Sequence, residues 1–138
     1  MKARLILSSA AAAAISALAL SPSTALAQTG QEKGEARLAK MLEGRVAGEP
    51  ESCITALNAN RIEVIDYVGV VYDAGNTIWV SRVKDPRSLS WTDIPVFDRF
   101  GSQLCKYDVI RTVDRSTHMY SGAVFLEDFV PYRKPDAE

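Results

Sequence analysis

The chain has 138 residues, with 16 Lys and Arg against 17 Asp and Glu, one histidine, two cysteines and 47% apolar residues. Affinity for phosphate backbones needs clustered Lys and Arg, and here they stand singly among acids, so nucleic acid is excluded as a partner. A closed zinc site needs four ligands, and two sulfurs with one imidazole at irregular spacing do not supply them, so no metal is expected.

The first 27 residues read as a secretory signal peptide. Lys2 and Arg4 make a basic start, Leu5 to Leu20 an apolar middle, and Ala25 and Ala27 the small residues that place cleavage between Ala27 and Gln28. The apolar stretch is alanine-rich and broken by Ser8, Ser9 and Ser16, which suits a leader better than a membrane anchor. No cysteine follows it and no twin arginine precedes it, so the expected product is an unlipidated chain exported unfolded. Removing 27 of 138 residues leaves 111, the size of one domain, with 14 basic groups against 17 acidic ones. The expected organisation is a disordered linker over 28–34, one globular domain over 35–132 and a polar tail over 133–138.

From Glu35 the segment EARLAKMLEGRV places Leu38, Met41 and Leu42 on one stripe at helical spacing, with Val46 as its next member. The spacing predicts one short amphipathic helix, ended by Gly44 or Gly48, whose apolar stripe must dock on something. Pro50 forbids its continuation, and the signal then turns to strands. Arg61 to Val83 reads as a β-hairpin turning at Ala74 to Asn76, where Gly and Asn tolerate positive φ. KDPRSLSWTD reads as a loop or short helical turn, PVFDRF and VIRTVDR as strands, STHMYSG as a connection and AVFLEDFV as the last strand. The fold class is therefore mainly β with one N-terminal amphipathic helix. This is an α+β domain whose small antiparallel sheet closes toward a barrel or sandwich.

Cys53 and Cys105 are the only cysteines, and export would send them to an oxidising compartment, so a disulfide between them is the expected state. A reactive Cys105 would need a nearby cation and a base, yet Lys106, adjacent in a strand-like segment, points to the other face. His118 is the sole histidine, and no G-x-S-x-G segment holds a serine for it to activate. Asp66, Asp73, Asp93, Asp98, Asp108, Asp114, Glu127 and Asp128 mostly sit at strand ends or alternate with apolar residues, as on a solvated face. Among them Asp108 is placed to accept backbone N–H bonds after Cys105, and Arg99, Arg111 or Arg115 to pair with Asp98 or Asp114. Of the aromatic residues, Phe97, Phe100, Phe125 and Phe129 are expected in the core. Trp91, Trp79, Arg87 and His118 form the candidate contact surface, with Trp91 in the loop SLSWTD foremost.

Around SCI at Cys53, GSQLCKYDVI at Cys105 and DFVPY near the end, the chain resembles a family of small exported Gram-negative bacterial proteins catalogued only as a domain of unknown function. The resemblance spans about Glu35 to Tyr132 and rests on a leading cysteine, a Leu-Cys-x-x-Asp turn and a Phe-x-Pro-Tyr terminus. It implies architecture and no catalytic residues. Many members carry a second cysteine pair, which would fall near Pro86 to Ser88 and near Val124, and this chain has neither cysteine. The resemblance thus leaves Cys53 with Cys105 as the retained bridge.

These readings predict a non-enzymatic periplasmic or secreted module, without cofactor or membrane anchor after cleavage. It would bind an envelope protein, peptide or glycan through a sheet edge or aromatic patch. Two rivals remain at this level. One is a small hydrolase of envelope glycan that uses two facing carboxylates, for which Asp93, Asp98, Asp108 and Asp114 are the groups to watch. The other is an enzyme inhibitor inserting the KDPRSLSW or STHMYSG loop.

Overall fold

The computed structural model describes residues 29–99 and 101–135. The segment expected to be a leader, with its expected cleavage point, Phe100 and the last three residues lie outside these limits. The elements in chain order are α1 (Gly30–Met41), β1 (Val46–Ala47), β2 (Cys53–Thr55), β3 (Ile62–Ile65), β4 (Gly69–Asp73) and β5 (Thr77–Val83). They continue with β6 (Asp93–Phe97), β7 (Gln103–Cys105), β8 (Val109–Asp114) and β9 (Tyr120–Arg133). Short 3-10 turns occupy Ala59–Arg61 and Pro86–Ser88, the second inside the predicted loop.

The chain is mainly β with one helix. Its seven-stranded antiparallel sheet runs β3-β4-β5-β9-β8-β6 and bends toward a barrel, with β1 added to the end of β9. The 14-residue β9 is its spine. Along one edge it pairs with β5 from Leu126 to Arg133, and along the other with β8 from Tyr120 to Phe125 and with β1 at Tyr132 and Arg133. Tyr120, Ser121 and Gly122, expected in a connection, thus begin this strand. The predicted hairpin over Arg61 to Val83 is three strands. An additional tight turn at Asp66–Val68 splits its first arm, and the foreseen turn follows Asp73, where Gly75 takes φ 91 and donates its N–H to Asp73 Oδ1 at 2.7 Å.

Two apolar layers hold the sheet. Inside the barrel lie Val70, Tyr72, Val83, Leu89, Ile110, Val124, Leu126 and Phe129, together with Ile54 and Leu104 of the small β2-β7 ladder. On the opposite face of β3-β5, Val71, Ile78 and Val80 meet Leu38, Met41 and Leu42 of α1 and its C-cap. This is why β4 reads as an unbroken apolar run: both of its faces are covered.

The helix differs from expectation at both ends. It begins at Gly30, so five residues of the supposed linker are helical, because Thr29 and Glu32 form a capping box. Glu32 N–H donates to Thr29 Oγ1 at 3.2 Å, and Thr29 N–H donates to Glu32 Oε2 at 2.6 Å. It stops at Met41, and Val46 leaves the stripe to lie exposed in β1. Close approach explains the two glycines one turn apart. A Cβ on Gly34 would stand 2.6 Å from the Asp66 carbonyl oxygen, and one on Gly30 would enter the Tyr67 ring.

Among the phenylalanines, Phe129 is fully buried and Phe97 packs partly against the barrel interior. Phe125 corrects the expectation: its neighbours Val124 and Leu126 both point inward, so the two-residue period turns Phe125 outward, where it is 52% exposed opposite Val109.

Candidate functional site

The Cys105 segment is structural. Cys53 and Cys105 are directly opposite in the β2-β7 ladder and joined by a disulfide, with a 2.03 Å S–S bond and Cα atoms 4.0 Å apart. Asp108 accepts the Cys105 N–H at 2.8 Å, as the Leu-Cys-x-x-Asp spacing predicts. Lys106 turns the other way, to Asp128 at 2.7 Å, and this lysine, then Ser52, holds the Asp128 carboxyl below its ordinary range.

One concave feature with aromatic and charged groups borders the Cys105 segment, between Lys106, Tyr107, Glu127 and Asp128, and a second lies where the first turns of α1 cross the turn between β3 and β4. A cleft of about 460 Å³ opens there. Gly30 and Gly34 line it where Tyr67 and the Asp66 carbonyl pack against the helix, Ile65 gives an apolar base, Tyr67 and Trp91 its aromatic surfaces, and Lys33, Arg37 and Asp66 its charged rim. Its geometry follows from local chemistry. Tyr67 sits at φ 63, a conformation costing an L-residue about 1–2 kcal/mol. Its N–H is tied to the Leu89 carbonyl at 2.7 Å, which fastens the turn to the loop carrying Trp91. On the far side Arg115 donates from Nε to the Trp91 carbonyl at 3.3 Å and from its backbone N–H to Thr92 O at 2.8 Å. Leu89 itself is buried, so the loop is anchored at both ends while the Trp91 side chain stays 63% exposed.

The rim charges nearly balance. Arg37 meets Glu63 at 2.6 Å, Asp66 is a second acid, and Lys33 makes no ion pair among the described residues. Arg82 of β5 clasps Glu35 through two parallel hydrogen bonds, and this bonding lowers the Glu35 carboxyl below its usual range. The helix that walls the cleft is thereby pinned to the sheet from two sides.

Of the predicted contact residues only Trp91 lines this cleft. Trp79 packs partly against the barrel core, Arg87 is exposed beside Asp85, and His118 is exposed in the β8-β9 turn at φ 57, donating its N–H to the Asp114 carbonyl. Asp66 and Tyr67 were visible as a carboxylate and an aromatic but not as a turn. Lys33 and the glycines stood in the segment read as a linker. The capping box was the signal that would have placed them on a helix.

The acids divide into structural partnerships. Asp98 pairs with Arg111 at 2.5 Å, whereas Arg99 donates to the Ala56 carbonyl and Arg115 to the Trp91 carbonyl. Asp93 and Asp114 are directly opposite across β6 and β8, a juxtaposition that sequence could not reveal. Asp93 is held below its ordinary pKa first by the Ser90 hydroxyl and then by that of Ser121, at 2.6 and 2.7 Å. Asp114 is lowered by the Thr117 backbone N–H and hydroxyl. Both are thus stabilised as carboxylates, whereas the proton donor of a glycosidase needs its pKa raised. No group of three or more His, Cys, Asp or Glu able to hold a metal occurs among the described residues, and no helix there is long and apolar enough to cross a membrane. Comparison of the chain with protein-family models, with curated proteins and with solved structures yields no match.

Proposed function

We propose that this is an exported periplasmic binding module that holds its ligand in the α1 cleft without breaking a bond in it. One observation carries the reading: Trp91 stands in water on a loop tied down on both sides, at the edge of a preformed concavity. Rigid aromatic anchors beside a cleft dominate recognition because little entropy is lost when they engage. Export is supported by the leader-like start and by a cystine of the kind that persists in oxidising compartments. The test compares immobilised residues 28–138 with the same protein carrying Trp91→Ala, each exposed to detergent-solubilised cell envelope. A component retained by the first and lost from the second is expected, and equal retention by both overturns the reading.

A further inference from the structure

We infer that the ligand is a carbohydrate, bound as a neutral pyranose unit laid face-down on Trp91; this rests on the cleft reading above. A pyranose has two apolar C–H faces and a rim of hydroxyls. It is matched by an aromatic plane with planar polar side chains at its edge. The cleft supplies that combination. Trp91 and Tyr67 offer ring surfaces, Arg37 and Asp66 offer a planar donor and a planar acceptor, and Lys33 adds a mobile donor.

The alternatives fit less well. An anionic ligand would need a surplus of positive charge, but Arg37 is already matched by Glu63, and Lys33 shares the cleft with the carboxylate of Asp66. An extended peptide bound by strand addition needs a groove along a free ladder edge, whereas of the edge strand β3 only Ile65 lines the cleft and the rest is helix, turn and loop. A wholly apolar ligand would strip water from Lys33 and Asp66 and offer them no polar group in exchange. The volume of about 460 Å³ lies within the ordinary range of small-ligand sites.

The two indole N–H groups make the test specific, because Trp79 packs against the core and serves as an internal control. Residues 28–138, labelled with nitrogen-15, are titrated separately with chitotetraose, cellotetraose and tetra-alanine. A saturable shift of the Trp91 indole and of amides from Gly30 to Arg37 is expected with at least one saccharide, with Trp79 unmoved and tetra-alanine inert. Trp91→Ala should weaken that affinity about tenfold or more, and Asp66→Asn should weaken it less, both with unchanged melting. If tetra-alanine shifts these resonances and neither saccharide does, the carbohydrate assignment is overturned while the cleft reading stands. If no probe shifts them and Trp91→Ala retains the same envelope material as the parent, both fail.

Discussion

Replacing both cysteines, Cys53→Ser with Cys105→Ser, should remove a large part of the stability without changing the fold. The bridge closes a segment with a sequence separation of 52 that contains β3 to β6, most of the barrel wall. In the chain-entropy treatment, a loop of that length restricts the unfolded chain by about 4 kcal/mol. Both cysteines are only half-buried, so the serine hydroxyls reach water and no sizeable cavity is added to that figure. The flanking ladder keeps Ile54 and Leu104 in the core through its own register, which is why the folded state should survive. For a domain of this size, about 4 kcal/mol corresponds to a fall in Tm of about 15 °C or more. Far-UV circular dichroism melts and urea titrations of the two proteins measure it directly. A loss below about 1 kcal/mol would refute the reasoning, because it would mean that the unfolded chain gains little from release of the loop. Thiol titration of the denatured, unreduced parent should find essentially no free thiol.

Gly34→Ala, a substitution that usually strengthens a helix by up to about 1 kcal/mol, should here destabilise by about 1–3 kcal/mol, because the new methyl meets the Asp66 carbonyl and Val68 Cγ2; a raised Tm would contradict the close approach. Phe129→Ala should cost about 3–5 kcal/mol, while Phe125→Ala should stay within about 0.5 kcal/mol of the parent, a contrast that urea titration resolves. Glu35, Asp93 and Asp128 have folded pKa values below their unfolded ones. Their contribution is therefore complete above the unfolded value of about 4 and is lost as pH falls through the folded values. Tm should be flat from about pH 7 to 5 and fall below about pH 4, and Asp93→Asn should shallow that fall.

How far the sequence could be read depended on whether the deciding interaction was local. The Cys53 bridge followed from composition, and the Asp108 cap from a three-residue spacing, because each needs only one partner close in kind or in chain. The strands were found where Val, Ile and aromatic residues cluster, but β4 hid the Asp66–Val68 turn, since a strand covered on both faces lacks the alternation that would mark its end. Residues 30–34 read as a linker because glycine normally weakens a helix. The reason for two of them, close approach to Asp66 and Tyr67, exists only after the chain has folded. Residue type alone puts Phe125 in the core, whereas counting in twos from Val124 and Leu126 turns it outward. The cleft joins residues from α1, the β3-β4 turn and the loop before β6, so no single window of sequence contains it.

Oxidative footprinting of the Trp91 indole probes the proposed contact residue itself, with half-buried Trp79 as the reference in the same molecule. In the free protein Trp91 should oxidise faster than Trp79. Addition of solubilised cell envelope should slow Trp91 selectively, by about tenfold at saturation. Unchanged oxidation of Trp91 in the presence of saturating envelope material would contradict the account.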